Sequence, residues 1–392
     1  MSHSSGRSLG ASFGWLNVTQ FLGAVNDNVF KLLLVYFLLA LHGAQAAPMA
    51  GAGAIVLLAV PFLVFSASAG IVADRISKKR LIVYTKLVEI AVMLLACVAF
   101  ALSSTALLFV AMFLMATQST FFAPAKYGIV PELVGRERLS RANGLLQALT
   151  YLAIITGTVL APLLSELTSR NYLYAAFALV GIAVAGTLTS LGVETTPPSG
   201  STRRPSWFFL GDIWRTLRSI RADGYLVLAV VASAYFLMLA AYIQINLIPY
   251  GIEVLGLTRE ESSYLFLFAA FGIAVGAILS GRLSGRNIEL GVVPLGAIGL
   301  TVASLLLGTP MSSPLGAIPL VVLLGISAGL FIVPVNAWVQ FRSPDERRGE
   351  ILAAAGFLSW IGVLLAAGCI YLFDRVMHLD PRRAFLMLGA LT

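Results

Sequence analysis

QFLGAVNDNVFK, residues 20–31, sets Asn26, Asp27, Asn28 and Lys31 in the middle of an apolar run covering about residues 12–41. A carboxylate at the centre of a bilayer costs about 3 kcal/mol on insertion scales, and flanking amides add to that cost. Hydrocarbon tolerates such a cluster where it faces a wet cavity or a partner charge, so the run marks a solute pathway within a membrane protein. With a helical period, Gln20, Gly23, Asp27 and Lys31 share one face. The spacing predicts an i,i+4 attraction between Asp27 and Lys31 that lowers the insertion cost. The competing reading is a purely internal salt bridge tying this helix to its neighbours.

The rest of the chain agrees with a membrane setting. Of 392 residues 59% are hydrophobic and 11% charged, with a mean hydropathy of +0.92, whereas soluble domains carry about 25% charged residues. Apolar runs of spanning length fall near 12–41, 50–73, 81–102, 104–127, 140–166 and 172–193. After a polar break they resume near 224–250, 260–284, 289–308, 314–340 and 349–374. A twelfth opens at about 384 with nine residues before Thr392, so it is incomplete in this sequence. The first run lacks a short core followed by small residues, and reads as a retained span rather than a cleaved signal.

The net charge of +8 is a matter of topology. Eighteen of the 26 Lys and Arg fall in the loops that share a side with the N-terminus, and five in the loops of the other side. The positive-inside rule therefore predicts a cytoplasmic N-terminus, and no nucleic-acid partner is called for. Cys97 and Cys369 lie inside expected spans as small hydrophobes. His3, His42 and His378 sit in terminal or loop positions without partner spacing. No nucleophile–base pair, metal cluster, cofactor motif or phosphate-cradling loop is present, so the sequence points to a carrier, not an enzyme.

The chain divides into residues 1–193, a linker at 194–223 and residues 224–392. The linker opens with TTPPSGSTRRP (195–205) and continues as an amphipathic piece, Trp207–Arg221, expected to lie on the cytoplasmic leaflet. The two flanking parts echo each other. Phe121, Pro124 and Lys126 match Phe331, Pro334 and Asn336 at an offset of 210, close to the offset between the first and seventh spans. The position matching Asp27 is Met238. Two six-span halves in the same orientation form a parallel repeat, with solute bound between them near the midplane.

Other polar groups within spans complete a candidate site: Gln118 and Lys126, Tyr242 and Asn246, Asn336 and Gln340. Lys126 follows the helix-bending Pro124; its alternative is a lysine snorkelling to the interface. Lys86 and Glu89, an i,i+3 pair, read first as a structural ion pair. In the turn after the second span, Gly70, Asp74, Arg75, Lys79 and Arg80 set an acid before bases at a helix junction. That arrangement makes a charge-and-dipole clasp able to hold one face shut.

These five residues resemble the loop signature of the major facilitator superfamily, with Ser77 where glycine is usual. Gly157 to Pro162 is a partial match to the antiporter signature of that superfamily, with Ala161 in place of glycine. More specifically, residues 20–31, FAPAKYGIVPEL (122–133), LSRANG (139–144) and VPVNAWVQ (333–340) are similar to the bacterial lysophospholipid transporter family. That resemblance extends over nearly the whole chain. It implies an all-α, polytopic major facilitator fold of 6+6 transmembrane helices and no cofactor. It further implies a monomer of the inner membrane that moves lysophospholipid, chiefly the ethanolamine form, across for reacylation, in some relatives beside fused acyltransferase and acyl-carrier-protein ligase domains.

Asp27, with Asn26 or Asn28, suits an ammonium; Lys31 or Lys126 suits a phosphate; Gln118, Asn246 and Asn336 complete the expected binding set. Competing expectations are a proton-coupled exporter of amphipathic drugs, in which Asp27 titrates, and a membrane module that presents substrate to a fused acyltransferase.

Overall fold

The computed structural model describes residues 9–43, 47–206, 208–285, 287–310 and 313–392, with the side chains of 47–55 and 374–375 set aside. His3, Arg7, Trp207 and Arg286 lie outside the described residues, as does the side chain of Arg375.

The described residues form thirteen α-helices and no strand. The first six are α1 (Ala11–His42), α2 (Ala47–Arg75), α3 (Lys78–Ala101), α4 (Thr105–Val134), α5 (Leu139–Leu167) and α6 (Tyr172–Leu191). A short α7 (Phe209–Ile220) follows the linker. Then come α8 (Gly224–Pro249), α9 (Arg259–Leu283), α10 (Val292–Leu307), α11 (Pro314–Arg342), α12 (Arg348–Tyr371) and α13 (Pro381–Leu391). Ten are long and apolar enough to cross a membrane. Helix α10 has 16 residues, about 24 Å at 1.5 Å each, and is shorter than the 289–308 run because turns through Asn287 and Val292 take up its start. Helix α13 ends at Leu391 after 11 residues.

Side-chain caps place the helix starts. Asn171 accepts the N–H groups of Leu173 and Tyr174 at the head of α6. Thr258 and Glu261 form a reciprocal capping box on α9. Asp380 caps α13, with Pro381 in the first turn. Ser77, where the superfamily loop usually has glycine, adopts φ −55°, so that turn needs no left-handed residue.

Two large apolar cores result. One gathers Val29, Phe30, Leu34, Met93, Met112 and Leu179 from the first six helices. The other gathers Leu239, Tyr250, Leu265, Leu324 and Phe385 from α8–α13, reaching across to Ala148. The two sets meet through α2 against α12 and α5 against α9. At both crossings backbone touches backbone. A Cβ built on Gly70 would lie 2.7 Å from the Gly349 carbonyl oxygen, and one on Gly144 2.5 Å from that of Ala277. Only glycine allows these approaches.

The direct hydrogen bonds described between the two sets all lie toward one end, the end bearing the basic loops. There Asn143 and Gln340 exchange reciprocal amide bonds of 2.9 and 2.8 Å, and Asp74 bonds the start of α12. This end is called the basic face below.

Helix α7 corrects one expectation. It does not merely lie on a leaflet: its inner side buries Asp212, Ile213, Thr216 and Ile220. Ile213 packs with Ala67 of α2 and with Ala354 and Phe357 of α12.

Candidate functional site

A cavity of about 210 Å³ lies between the two helix sets, above the Asn143–Gln340 pair. Its polar lining is neutral and includes Ser66, Thr120, Tyr127, Gln147, Asn336 and Gln340; Phe62, Phe236 and Trp360 supply apolar wall. Phe62 and Trp360 stack across the α2–α12 seam at 4.8 Å between centroids. Helical spacing explains the floor. On α5 one turn separates Asn143 in the closed contact from Gln147 on the cavity. On α11, which runs the other way, one turn separates Gln340 from Asn336. The cavity is smaller than the 300–1,000 Å³ usual for whole small-molecule ligands.

The membrane-buried charged groups lie within the first six helices, and none of them lines this cavity. Lys86 Nζ meets Glu89 Oε2 at 2.6 Å, with both side chains almost fully buried. Asn26 donates to the other Glu89 oxygen at 2.9 Å. Lys86 also stands 5.2 Å from the centroid of the Phe122 ring. This is the structural ion pair that the spacing favoured, and it holds α1 to α3.

Asp27 accepts a 2.8 Å bond from Ser119 of α4 through Oδ2. Its Oδ1 and the Oε1 of Gln118 are buried acceptors with no donor among the described residues. The expected Asp27–Lys31 ion pair is not made. Lys31 Nζ instead donates to Asn28 Oδ1 at 3.2 Å, because Asn28 lies one turn back on the same helix, while Ser119 draws the Asp27 carboxylate toward α4. Lys126 does not simply snorkel. Its ammonium donates to Gln20 Oε1 at 3.3 Å and sits 4.4 Å from the Tyr127 ring centroid, a cation–π contact.

Of the residues expected to touch solute, Asn336 lines the cavity. Lys126 lies between two residues that do, Pro124 and Tyr127. Asp27 is held by Ser119, the neighbour of the cavity-lining Thr120. Asn28 folds back to the Ala24 carbonyl at 2.8 Å, and Gln118 donates to Ser119 at 3.0 Å. Asn26 and Asn246 are packed away from the cavity, the first on Glu89 and the second on the Pro381 carbonyl at 2.9 Å. Tyr242 likewise bonds the Ala384 carbonyl. The structure adds Tyr127, Gln147 and Trp360. The i,i+4 spacing of Asn143 and Gln147, which mirrors Asn336 and Gln340, was the available signal for Gln147. A lone tryptophan in an apolar run carries none.

At the basic face, Gly70 and Asp74 of the expected clasp stand at the crossing of α2 and α12. Asp74 is fully buried and accepts the N–H groups of Gly349 and Glu350 at 2.7 and 2.9 Å. These are orphan donors in the first turn of α12, where the helix dipole also favours an anion. Gly70 provides the close crossing one turn earlier. Arg75 and Arg80 are exposed and Lys79 half-buried, and none forms an ion pair with a described residue. The buried cation is Lys78, which pairs Glu132 at 2.7 Å and donates to Ser199 of the linker at 2.7 Å.

The profile of the Major Facilitator Superfamily matches residues 10–367. Among similar proteins, the lysophospholipid transporter LplT of Pectobacterium carotovorum subsp. carotovorum (strain PC1) is 27% identical over 89% of this chain and 81% of its own. LplT of Enterobacter sp. (strain 638) is 28% identical over 84% and 81%. Among solved structures, the Escherichia coli fucose:proton symporter FucP superposes with a TM-score of 0.79 at 17% identity, covering 98% of this chain and 96% of that one. A bacterial homologue of the iron transporter ferroportin, in an outward-facing state, gives 0.71 at 15% identity with 97% coverage of each. At such identities these two likenesses concern the fold alone. With its helices, its two-sided core and its profile in agreement, the chain belongs to the Major Facilitator Superfamily.

Proposed function

We propose that this protein is a secondary transporter that moves lysophospholipid across the bacterial inner membrane by alternating access. Residues 1–193 and 224–392 act as the two rocking halves. The observation that carries this reading is the confinement of membrane-buried charge to the first six helices, behind a neutral cavity too small for a whole lipid. Asp27, Lys31 and Lys126 stand on α1 and α4, while the mid-span faces of α8, α11 and α12 offer amides, hydroxyls and carbon. A zwitterionic headgroup fits the first side, its ammonium supplying donors to Asp27 Oδ1 and Gln118 Oε1 and its phosphate drawn by Lys126 or Lys31. The acyl chain leaves the cavity along apolar wall. The LplT relatives support the same substrate class.

The sorting of Lys and Arg supports a cytoplasmic basic face, and in that orientation this conformation is closed toward the cytoplasm. Delivered lipid then becomes available to an acyltransferase acting on that leaflet, fused or separate. The test is uptake of labelled lysophosphatidylethanolamine into proteoliposomes. The wild-type chain transports it, and Asp27→Asn loses at least tenfold of the rate, since replacing the carboxylate removes a charged hydrogen bond worth about 1.5–3 kcal/mol, while gel filtration still shows a folded protein. Dye efflux driven by a proton gradient without lysolipid uptake overturns the reading in favour of a drug exporter.

A further inference from the structure

Helix α7 has two unlike sides, and each has a different neighbour. The inner side closes on the clasp. Glu350, whose backbone N–H is held by Asp74, accepts through its carboxylate from Arg203 of the linker, from Thr216 of α7 at 3.3 Å and from Arg347 at 3.3 Å. Asp212 of α7 accepts from Ser206 at 2.9 and 2.8 Å and stands 3.8 Å from Arg203. The linker is thereby strapped over the basic face, from Ser199 on Lys78 to Arg203 on Glu350. It ties the first helix set to the second through the same residues that keep them together.

The outer side is exposed, and Arg215 at its flank pairs with Asp212 of the same helix at 3.3 Å. Leu210, Trp214, Arg218 and Arg221 form one stripe at helical spacing, and Phe208 and Arg215 flank it; Phe208 is 67% and Trp214 66% exposed. The aromatics are at the start of the helix and the arginines at its end. The depth of α7 identifies what covers this side. Its inner face joins Ala67 of α2 and Ala354 and Phe357 of α12 in one cluster, against which Leu63 and Ile361 also pack, all residues inside spans. The outer face therefore looks outward from the α2–α12 seam into the surrounding bilayer. Tryptophan and phenylalanine beside a row of arginines suit the boundary between acyl chains and negatively charged headgroups.

We propose that α7 is a lipid-read latch: its outer side seats in anionic phospholipid of the leaflet at the basic face, and this holds its inner side on Glu350 so that the basic face stays shut. Anionic headgroups then set the balance between closed and open states without touching the transport cavity. The latch rests on the alternating-access reading but on no particular substrate, and its test needs none.

Ala337 of α11 reports opening. It is fully buried among Phe13, Leu16 and Ile129 of the first helix set. In a chain carrying Cys97→Ser and Cys369→Ser, the Ala337→Cys thiol reacts with a water-soluble maleimide when the basic face opens. The full chain is reconstituted in phosphatidylcholine alone or with added phosphatidylglycerol. Arg218 and Arg221 near an anionic surface are expected to slow labelling roughly thirtyfold as phosphatidylglycerol is added. Arg218→Gln and Arg221→Gln together, both exposed changes, are expected to abolish that dependence and leave labelling fast in both membranes. Arg203→Gln, which cuts the inner side only, is expected to do the same. Equal labelling of the parent chain in both membranes overturns the proposal, as does a double variant that keeps the full lipid effect. Slowing that follows protein density rather than phosphatidylglycerol overturns it too, and indicates a second copy as the occupant. Lysolipid uptake can fail with the lipid effect intact, or succeed without it, so the two readings are separable.

Discussion

The interior of the first six helices and that of the last six solve the same packing problem differently. Around Asn26, Asp27, Lys86 and Glu89, helices α1, α3 and α4 are joined through carboxyl side chains, Asn26 on Glu89 at 2.9 Å and Ser119 on Asp27 at 2.8 Å, with Lys86 on Glu89 within α3. In the second set, α8 and α13 are joined by Tyr242 and Asn246 donating to backbone carbonyls at 2.8 and 2.9 Å. A neutral side chain on a carbonyl holds a helix at little cost in desolvation. A buried ion pair is costly and tolerates no loss of a partner. The second set is thus built as a wall, and the first keeps charge within reach of the cavity.

The sharpest break of this comparison is Lys86→Met, which strands Glu89 and is expected to lower stability by about 3–5 kcal/mol, read as a fall in thermal midpoint in detergent. Adding Glu89→Leu should recover most of it, because the penalty comes from the uncompensated charge. Next, Asp74→Asn leaves one N–H of the α12 start poorly paired and removes the anion from its dipole. A change of about 1–3 kcal/mol toward the open basic face is expected, measured as faster labelling of Ala337→Cys. Smaller still, Asn336→Ala and Gln147→Ala should each raise the half-saturating lysolipid concentration severalfold, in keeping with about 0.5–1.5 kcal/mol for a neutral hydrogen bond. The least effect belongs to Asp223, where Arg342 donates a 2.8 Å bond at the surface and holds the carboxyl below its ordinary value of 3.8. Its small contribution is complete above that ordinary value and fades as pH falls through the lowered one. Asp223→Asn should flatten this part of the stability–pH curve.

Much of this was legible in the chain. Helix positions followed from apolar length, a local pattern; an acid at a helix junction singled out Asp74, though its partner, the start of α12, lies 275 positions away. The Lys86–Glu89 pair is also local, at i,i+3. The Asp27–Lys31 pair failed although its spacing was right, since the decisive neighbour, Ser119, lies 92 positions away and no local pattern announces it. Lys78 was overlooked among the three consecutive basic residues Lys78, Lys79 and Arg80 for the same reason: its burial depends on Glu132 and Ser199. Asn246 faced the wrong way for a binding role because the cap of α13, remote in sequence, claimed it. Helix α7 was read correctly as amphipathic. What its inner side touches could not be, as amphipathicity specifies that a face is covered and not by what.

The reciprocal contact between Asn143 and Gln340 has an electrical consequence. Both partners are uncharged amides, so parting them displaces no net charge through the transmembrane field, whose work is about 2.3 kcal/mol per elementary charge per 100 mV. That junction separates with the same ease in an energised and a depolarised cell. Voltage sensitivity of the cycle then arises elsewhere, from the cargo or from charged residues that change their depth.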